Sequence, residues 1–132
     1  MPADMTDAPS QGCPPGGGRF SVTPRTVSGV AVLSLTGELD HDTAEPLRAA
    51  LSQQIEAGRE RIVVDCAGLW FCDSTGLNAL LRARSAARAA GSGVELAALQ
   101  PSVARMFEIT GAHAVFRIHP DLDAALGDRP PR

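Results

Sequence analysis

A serine hydroxyl beside a carboxylate, at what reads as the first turn of a helix, is the grouping in this chain best suited to chemistry: Asp73-Ser74-Thr75-Gly76-Leu77. It follows a short apolar strand signal, Arg61 to Cys66, with Gly68 and Phe71 between, and it opens an amphipathic, Ala-rich run. A hydroxyl in that position can cap the helix by accepting a bond from a backbone N–H. It can also carry a phosphate, which would meet free N–H groups and the positive end of the helix dipole while facing the charge of Asp73. Ser74 therefore reads as an N-cap or a phosphoacceptor. Thr75, expected as the first helical residue, is the competing acceptor, and Asp73 is a capping residue or a partner contact.

The remaining reactive side chains do not assemble into a catalytic set. Cys13, Cys66 and Cys72 are odd in number and irregularly spaced, which gives neither a disulfide framework nor a CxxC metal knuckle; reduced thiols are expected. His41, His113 and His119 are scattered, so no metal site and no general base is indicated. All 12 cationic residues are arginine, and the absence of lysine removes the P-loop, Schiff-base and phospho-aspartate receiver classes. A serine hydrolase needs G-x-S-x-G at its elbow, where this chain has Cys72-Asp73-Ser74-Thr75-Gly76. The residues alone therefore prune several enzyme classes, the serine hydrolases and receiver domains among them.

The elements that must position Ser74 can be read from the periodicity. Residues 1–18, with Pro2, Pro9, Pro14, Pro15 and Gly16-Gly17-Gly18, are expected to be a disordered leader, and residues 128–132 a flexible tail. Between them a single domain over residues 19–127 is expected. Phe20 and Val22 begin a strand, Pro24 to Gly29 a turn, and Val30 to Leu35 a second strand, together a hairpin. Asp42 or Thr43 can cap a helix that carries Leu47, Leu51 and Ile55 and ends at Gly58. Strand Arg61–Cys66 leads to helix Thr75–Ala90, strand Val94–Leu99 to helix Pro101–Thr110, with Val103, Met106 and Phe107 inward and Gly111 as its stop. A short strand Val115–Ile118 and a last helical turn capped by Asp121 complete the chain. Alternating strands and helices after a hairpin predict an α/β fold: a small mixed sheet of about five strands flanked by helices.

Composition limits the partners. With 44% hydrophobic residues, 12 basic and 15 acidic side chains and a net charge of −3, the chain carries no cationic stripe for nucleic acid or anionic lipid. No apolar run approaches the roughly 20 residues of a membrane span, and no secretory signal is evident, so a cytoplasmic location is expected.

Three segments, in order and spacing, carry a resemblance: GELDHDTAEPLR from Gly37 to Arg48, DSTGL from Asp73 to Leu77 followed by NALL, and PSVARMFEITG from Pro101 to Gly111. From about Phe20 to Leu126 the chain resembles the anti-sigma-factor antagonists, bacterial single-domain proteins of the STAS fold. The resemblance implies that Ser74 is phosphorylated by a partner anti-sigma factor, itself an ATP-dependent serine kinase. It also implies that the unphosphorylated form binds that kinase and frees a sigma factor, and that a serine phosphatase restores the phosphorylated form. The partner-binding face it implies contains Glu38, Asp40, Asp73, Ser74, Thr75, Gly76 and Asn78. No cofactor is implied, and the free protein is expected to be a monomer. Asn78 stands where a glycine is common in the family, and Cys72 where a larger aliphatic residue is usual; Cys72 reads as a small core residue or a redox-sensitive neighbour. Non-switching STAS adaptors of transporters or stress-signalling complexes share the fold and form the alternative.

Overall fold

The computed structural model describes residues 20–127, so the expected leader, with Arg19, and the expected tail lie outside the described residues. Strand β1 (Phe20–Val27) pairs antiparallel with β2 (Val30–Leu39), which continues through α1 (Ala44–Glu56) to β3 (Arg61–Cys72). From there α2 (Ser74–Ala89) leads to β4 (Gly93–Ala97), α3 (Pro101–Thr110) and a 3₁₀ turn (Ala112–Ala114) to β5 (Ile118–His119), and α4 (Leu122–Gly127) follows. The sheet runs in chain order, β1-β2-β3-β4-β5, and every pairing after the hairpin is parallel. The mixed five-stranded α/β sheet read from the sequence is therefore the observed one.

The two faces of the sheet are covered unequally. Leu33 and Leu35 of β2, Ile62, Val64 and Cys66 of β3 and Leu96 of β4 bury against Leu47 and Leu51 of α1, Leu77 and Leu80 of α2 and Phe107 of α3. On the opposite face a smaller cluster, Val63, Ala97 and Ala125, packs α4 against the strands. The alternation of side chains along β3 sends Ile62 and Val64 to one cluster and Val63 to the other, as the period of two requires.

Several boundaries differ from the sequence reading, each for a local reason. The expected turn at Pro24 is strand: Pro24 pairs with Leu33 on an edge strand, where its missing N–H is tolerated, and the turn itself shrinks to Ser28-Gly29. Both turn residues have positive φ, 52° and 82°, which suits the twist of a two-residue hairpin. Strand β4 stops at Ala97 because Ala98 turns to φ 61°. The expected strand from Val115 forms only at Ile118–His119, since the N–H groups of Ala114, Val115 and Phe116 are spent on the turn after Gly111. Helix α2 begins at Ser74, one residue before the expected Thr75, and ends at Ala89.

Candidate functional site

The largest departure from expectation creates the site. Strand β3 runs past Cys66 to Cys72, and it does so by spending two more residues than β2 over the same stretch. Ser34 pairs with Asp65 but Thr36 with Gly68; Gly37 pairs with Leu69 but Glu38 with Phe71. Each step inserts one unpaired residue, a β-bulge that bends the strand and re-aims its side chains. Gly68 sits at the first, where a Cβ would lie 2.7 Å from the Leu35 carbonyl oxygen. Trp70 is the extra residue of the second, and as a result Trp70 and Phe71 point outward in succession, 46% and 45% exposed.

The bulges bring the end of β3 level with the end of β2. Leu39 pairs with Cys72, and the Asp73 N–H donates to the Leu39 carbonyl at 3.1 Å, so the β2–α1 loop and the start of α2 share one edge of the sheet. That loop is tied from within. The Thr43 hydroxyl donates to the Glu38 carbonyl at 2.8 Å and accepts the Asp40 N–H at 2.8 Å, while the Asp40 carboxylate accepts the Asp42 N–H at 3.0 Å. Of the two expected caps, Asp42 and Thr43, it is Thr43 that stands at the N-cap of α1, but its hydroxyl orders the loop and makes no cap bond to the helix.

At α2 the cap is Asp73, not Ser74. The Asp73 carboxylate accepts the Gly76 N–H at 2.9 Å, and its carbonyl accepts the Leu77 N–H at 2.9 Å. Ser74 is therefore the first helical residue, exposed, with its hydroxyl and its N–H unbonded, and the N–H of Thr75 is unbonded as well. Gly76 is buried beneath this turn, where a Cβ would fall 2.6 Å from Leu39 Cγ; only a glycine lets the helix start this close to β2. Asn78, one turn beyond Ser74, is exposed on the same side of α2. Thr75, Glu38 and Asp40 are half-buried around the edge.

Cys72 lies inside this edge, its thiol 3.5 Å from the Asp73 carbonyl oxygen. Burial, with the Asp73 charge adding to it, pushes its pKa up to about 12, so the thiol stays protonated and packs as a small core group. Cys66 is buried completely and its pKa is driven higher still, first by burial and then by Asp65 and Cys72.

The structure thus gathers Glu38, Asp40, Asp73, Ser74, Thr75 and Asn78 at one edge, with Gly76 packed beneath it. The sequence reading passed over Trp70. The chain's single tryptophan, next to Phe71 in a strand that should alternate, was the available signal.

The family described as Mlab, STAS domain matches residues 22–118, and the chain belongs to it. BtrV of Bordetella bronchiseptica, described as a candidate anti-sigma factor antagonist, is 30% identical over 106 residues, 80% of this chain and 91% of its own length. An anti-sigma F factor antagonist of Paenibacillus polymyxa is 31% identical over 96 residues, 72% of this chain and 80% of that protein. Among solved structures, the anti-sigma factor antagonist SpoIIAA in its unphosphorylated form superposes with a TM-score of 0.70 at 25% identity, over 83% of this chain and 100% of that one. The phosphorylated form of the Bacillus protein superposes with a TM-score of 0.65 at the same identity, over 81% and 97%.

Proposed function

We propose that this protein is an anti-sigma factor antagonist whose switch is Ser74. In the unphosphorylated state it binds an anti-sigma factor that is also a serine kinase, and the sigma factor is freed. Transfer of a phosphoryl group from ATP to Ser74 ends that binding, and a serine phosphatase restores it. The protein is then substrate and ligand in the cycle, not its catalyst, and acts in the cytoplasm.

The observation that carries this reading is the division of labour at the start of α2. Asp73 takes the cap, which leaves an exposed hydroxyl at Ser74 with no intramolecular bond to break before it reacts. The unbonded N–H groups of Ser74 and Thr75 offer a phosphate two donors at the positive end of the helix dipole, a gain of roughly 0.3–1 kcal/mol that offsets part of the repulsion from Asp73. The similarity of the chain to both the unphosphorylated and phosphorylated forms of SpoIIAA supports a fold that tolerates the modification.

The partner experiences the phosphate differently. The proposed interface spans Ser74 and Asn78 on α2, Asp73 and Thr75 beside them, and Glu38 and Asp40 across the edge, with Gly76 holding the backbone in place. About −1.5 to −2 charges added there, among three carboxylates, bring repulsion and a desolvation cost. A penalty of about 3 kcal/mol weakens binding roughly 100-fold. Titration of the kinase with wild type and with Ser74→Asp measures this directly: a loss of that order is expected, and equal affinities would refute the switch.

A further inference from the structure

Two large aromatic side chains at the Ser74 end of the sheet stand open to solvent. Trp70 and Phe71 are 46% and 45% exposed, while Leu69 before them and Cys72 after them are buried in the main cluster, so the pair is turned out of that cluster. On the far side of the sheet α4 packs over Val63 and Ala97, nearer the start of β3, and the cluster it forms there includes neither aromatic.

The chain enters the fold at the same end. Phe20, which is buried, opens β1 and pairs with Gly37, and Gly37 pairs in turn with Leu69. The point where residues 1–19 join the fold is therefore two strand spacings, about 10 Å, from the neighbour of Trp70. Gly37 and Gly68 present no side chain along that path. Pro15 is five residues before Phe20, a reach of up to ~17 Å, and Gly16-Gly17-Gly18 leaves the connection free to turn back over the strands. Pro14-Pro15 can thus arrive at the aromatic pair with length to spare.

Proline suits that surface. A Pro-Pro run holds the polyproline II conformation before it binds, so little entropy is lost, and its rings pack on exposed aromatic faces. A short flexible tether raises the local concentration to the millimolar range, so a contact of millimolar strength is populated about half of the time. We propose that the segment around Pro14-Pro15 docks on Trp70 and Phe71 of the same chain as a reversible cover. The covered pair adjoins the switch edge, because Phe71 pairs with Glu38 and Cys72 leads into Asp73. On the reading of Ser74 given above, on which this consequence rests, the partner must displace the cover, and half occupancy lowers its apparent affinity about twofold. The docking itself does not depend on that reading.

Trp70 is the chain's single tryptophan, so its indole N–H gives one NMR signal and its emission reports one site. The full chain is compared with one carrying Pro14→Ser and Pro15→Ser, both outside residues 20–127. Loss of the prolines is expected to move the indole signal and shift the emission to the red, as the ring returns to water. Cys13 adjoins Pro14, whereas Cys66 and Cys72 are buried with thiols held protonated, so a spin label is directed to Cys13. The label should broaden Trp70 and Phe71 strongly in the presence of the prolines and clearly less in their absence, and should leave Gly58 and Gly91, at the other end of the sheet, untouched. An indole signal that ignores the prolines, or broadening that does, would each overturn the proposal. So would an indole shift that follows protein concentration instead, which would assign the pair to a second copy of the chain. No kinase is present in these measurements, so failure of the Ser74 switch would leave their outcome unchanged.

Discussion

Asp73 and Ser74 both carry side chains suited to the first turn of α2, and the turn uses only one of them. With the carboxylate on the Gly76 N–H, the hydroxyl is left to solvent, so the residue that caps and the residue proposed to react are separate. From the sequence the two roles were interchangeable, because Asp and Ser are near-equal as N-caps; the Leu39 carbonyl decides between them by fixing the Asp73 N–H and holding that residue extended, outside the helix. Trp70 belongs to the same scale. Nearly half exposed on a bulge, it contributes little to the core, so Trp70→Ala should change stability by no more than about 0.5 kcal/mol. Exposed three residues before Asp73, Trp70 is expected to extend the proposed interface, and the same substitution should then weaken binding to the proposed anti-sigma kinase by more than about tenfold, as loss of a buried aromatic anchor does. Calorimetric titration beside thermal melting separates the two effects, and unaltered binding would remove Trp70 from the interface.

At the scale of elements, the legible features were those written in period and punctuation. Leu47 and Leu51 on α1, the Gly111 stop at φ 83° and the Asp121 cap, which accepts the Ala124 N–H at 2.7 Å, all follow from local rules. The length of β3 did not, because a double bulge erases the alternation that marks a strand and its cause is the pairing with β2, distant in sequence. Gly76 shows the same limit: within a helical pattern it reads as a flaw, and only the position of Leu39 explains it. Gly76→Ala is expected to cost about 1–3 kcal/mol by overpacking, even though alanine favours the helix, and a variant as stable as wild type in chemical denaturation would contradict that close approach. The Arg61–Glu95–His119 cluster ties β3, β4 and β5 together, and Arg61 also donates to the Ala125 carbonyl of α4 at 2.8 Å. Because the folded protein holds the Glu95 pKa below its ordinary 4.5, its contribution is complete above that pH and lost as pH falls through the lower folded value. Denaturation followed across the acid range should show wild type losing more stability below pH 4.5 than Glu95→Gln does; parallel curves would exclude the linkage.

For the whole molecule, the sheet order, the parallel crossovers and the helices massed on one face place the ends of β2 and β3 side by side, and the proposed switch is the edge they form. The fold class was readable because strand and helix signals alternate; the composition of that edge was readable only through the resemblance, since Glu38 and Ser74 are far apart in the chain and no local rule joins them. The central claim is that one hydroxyl in this architecture is the phosphoacceptor. Intact-mass spectrometry after incubation with ATP and the anti-sigma kinase of the same cell, with wild type beside Ser74→Ala, tests it most directly. The account predicts a single phosphate on wild type and none on the variant; phosphate on both, or on neither, would contradict it.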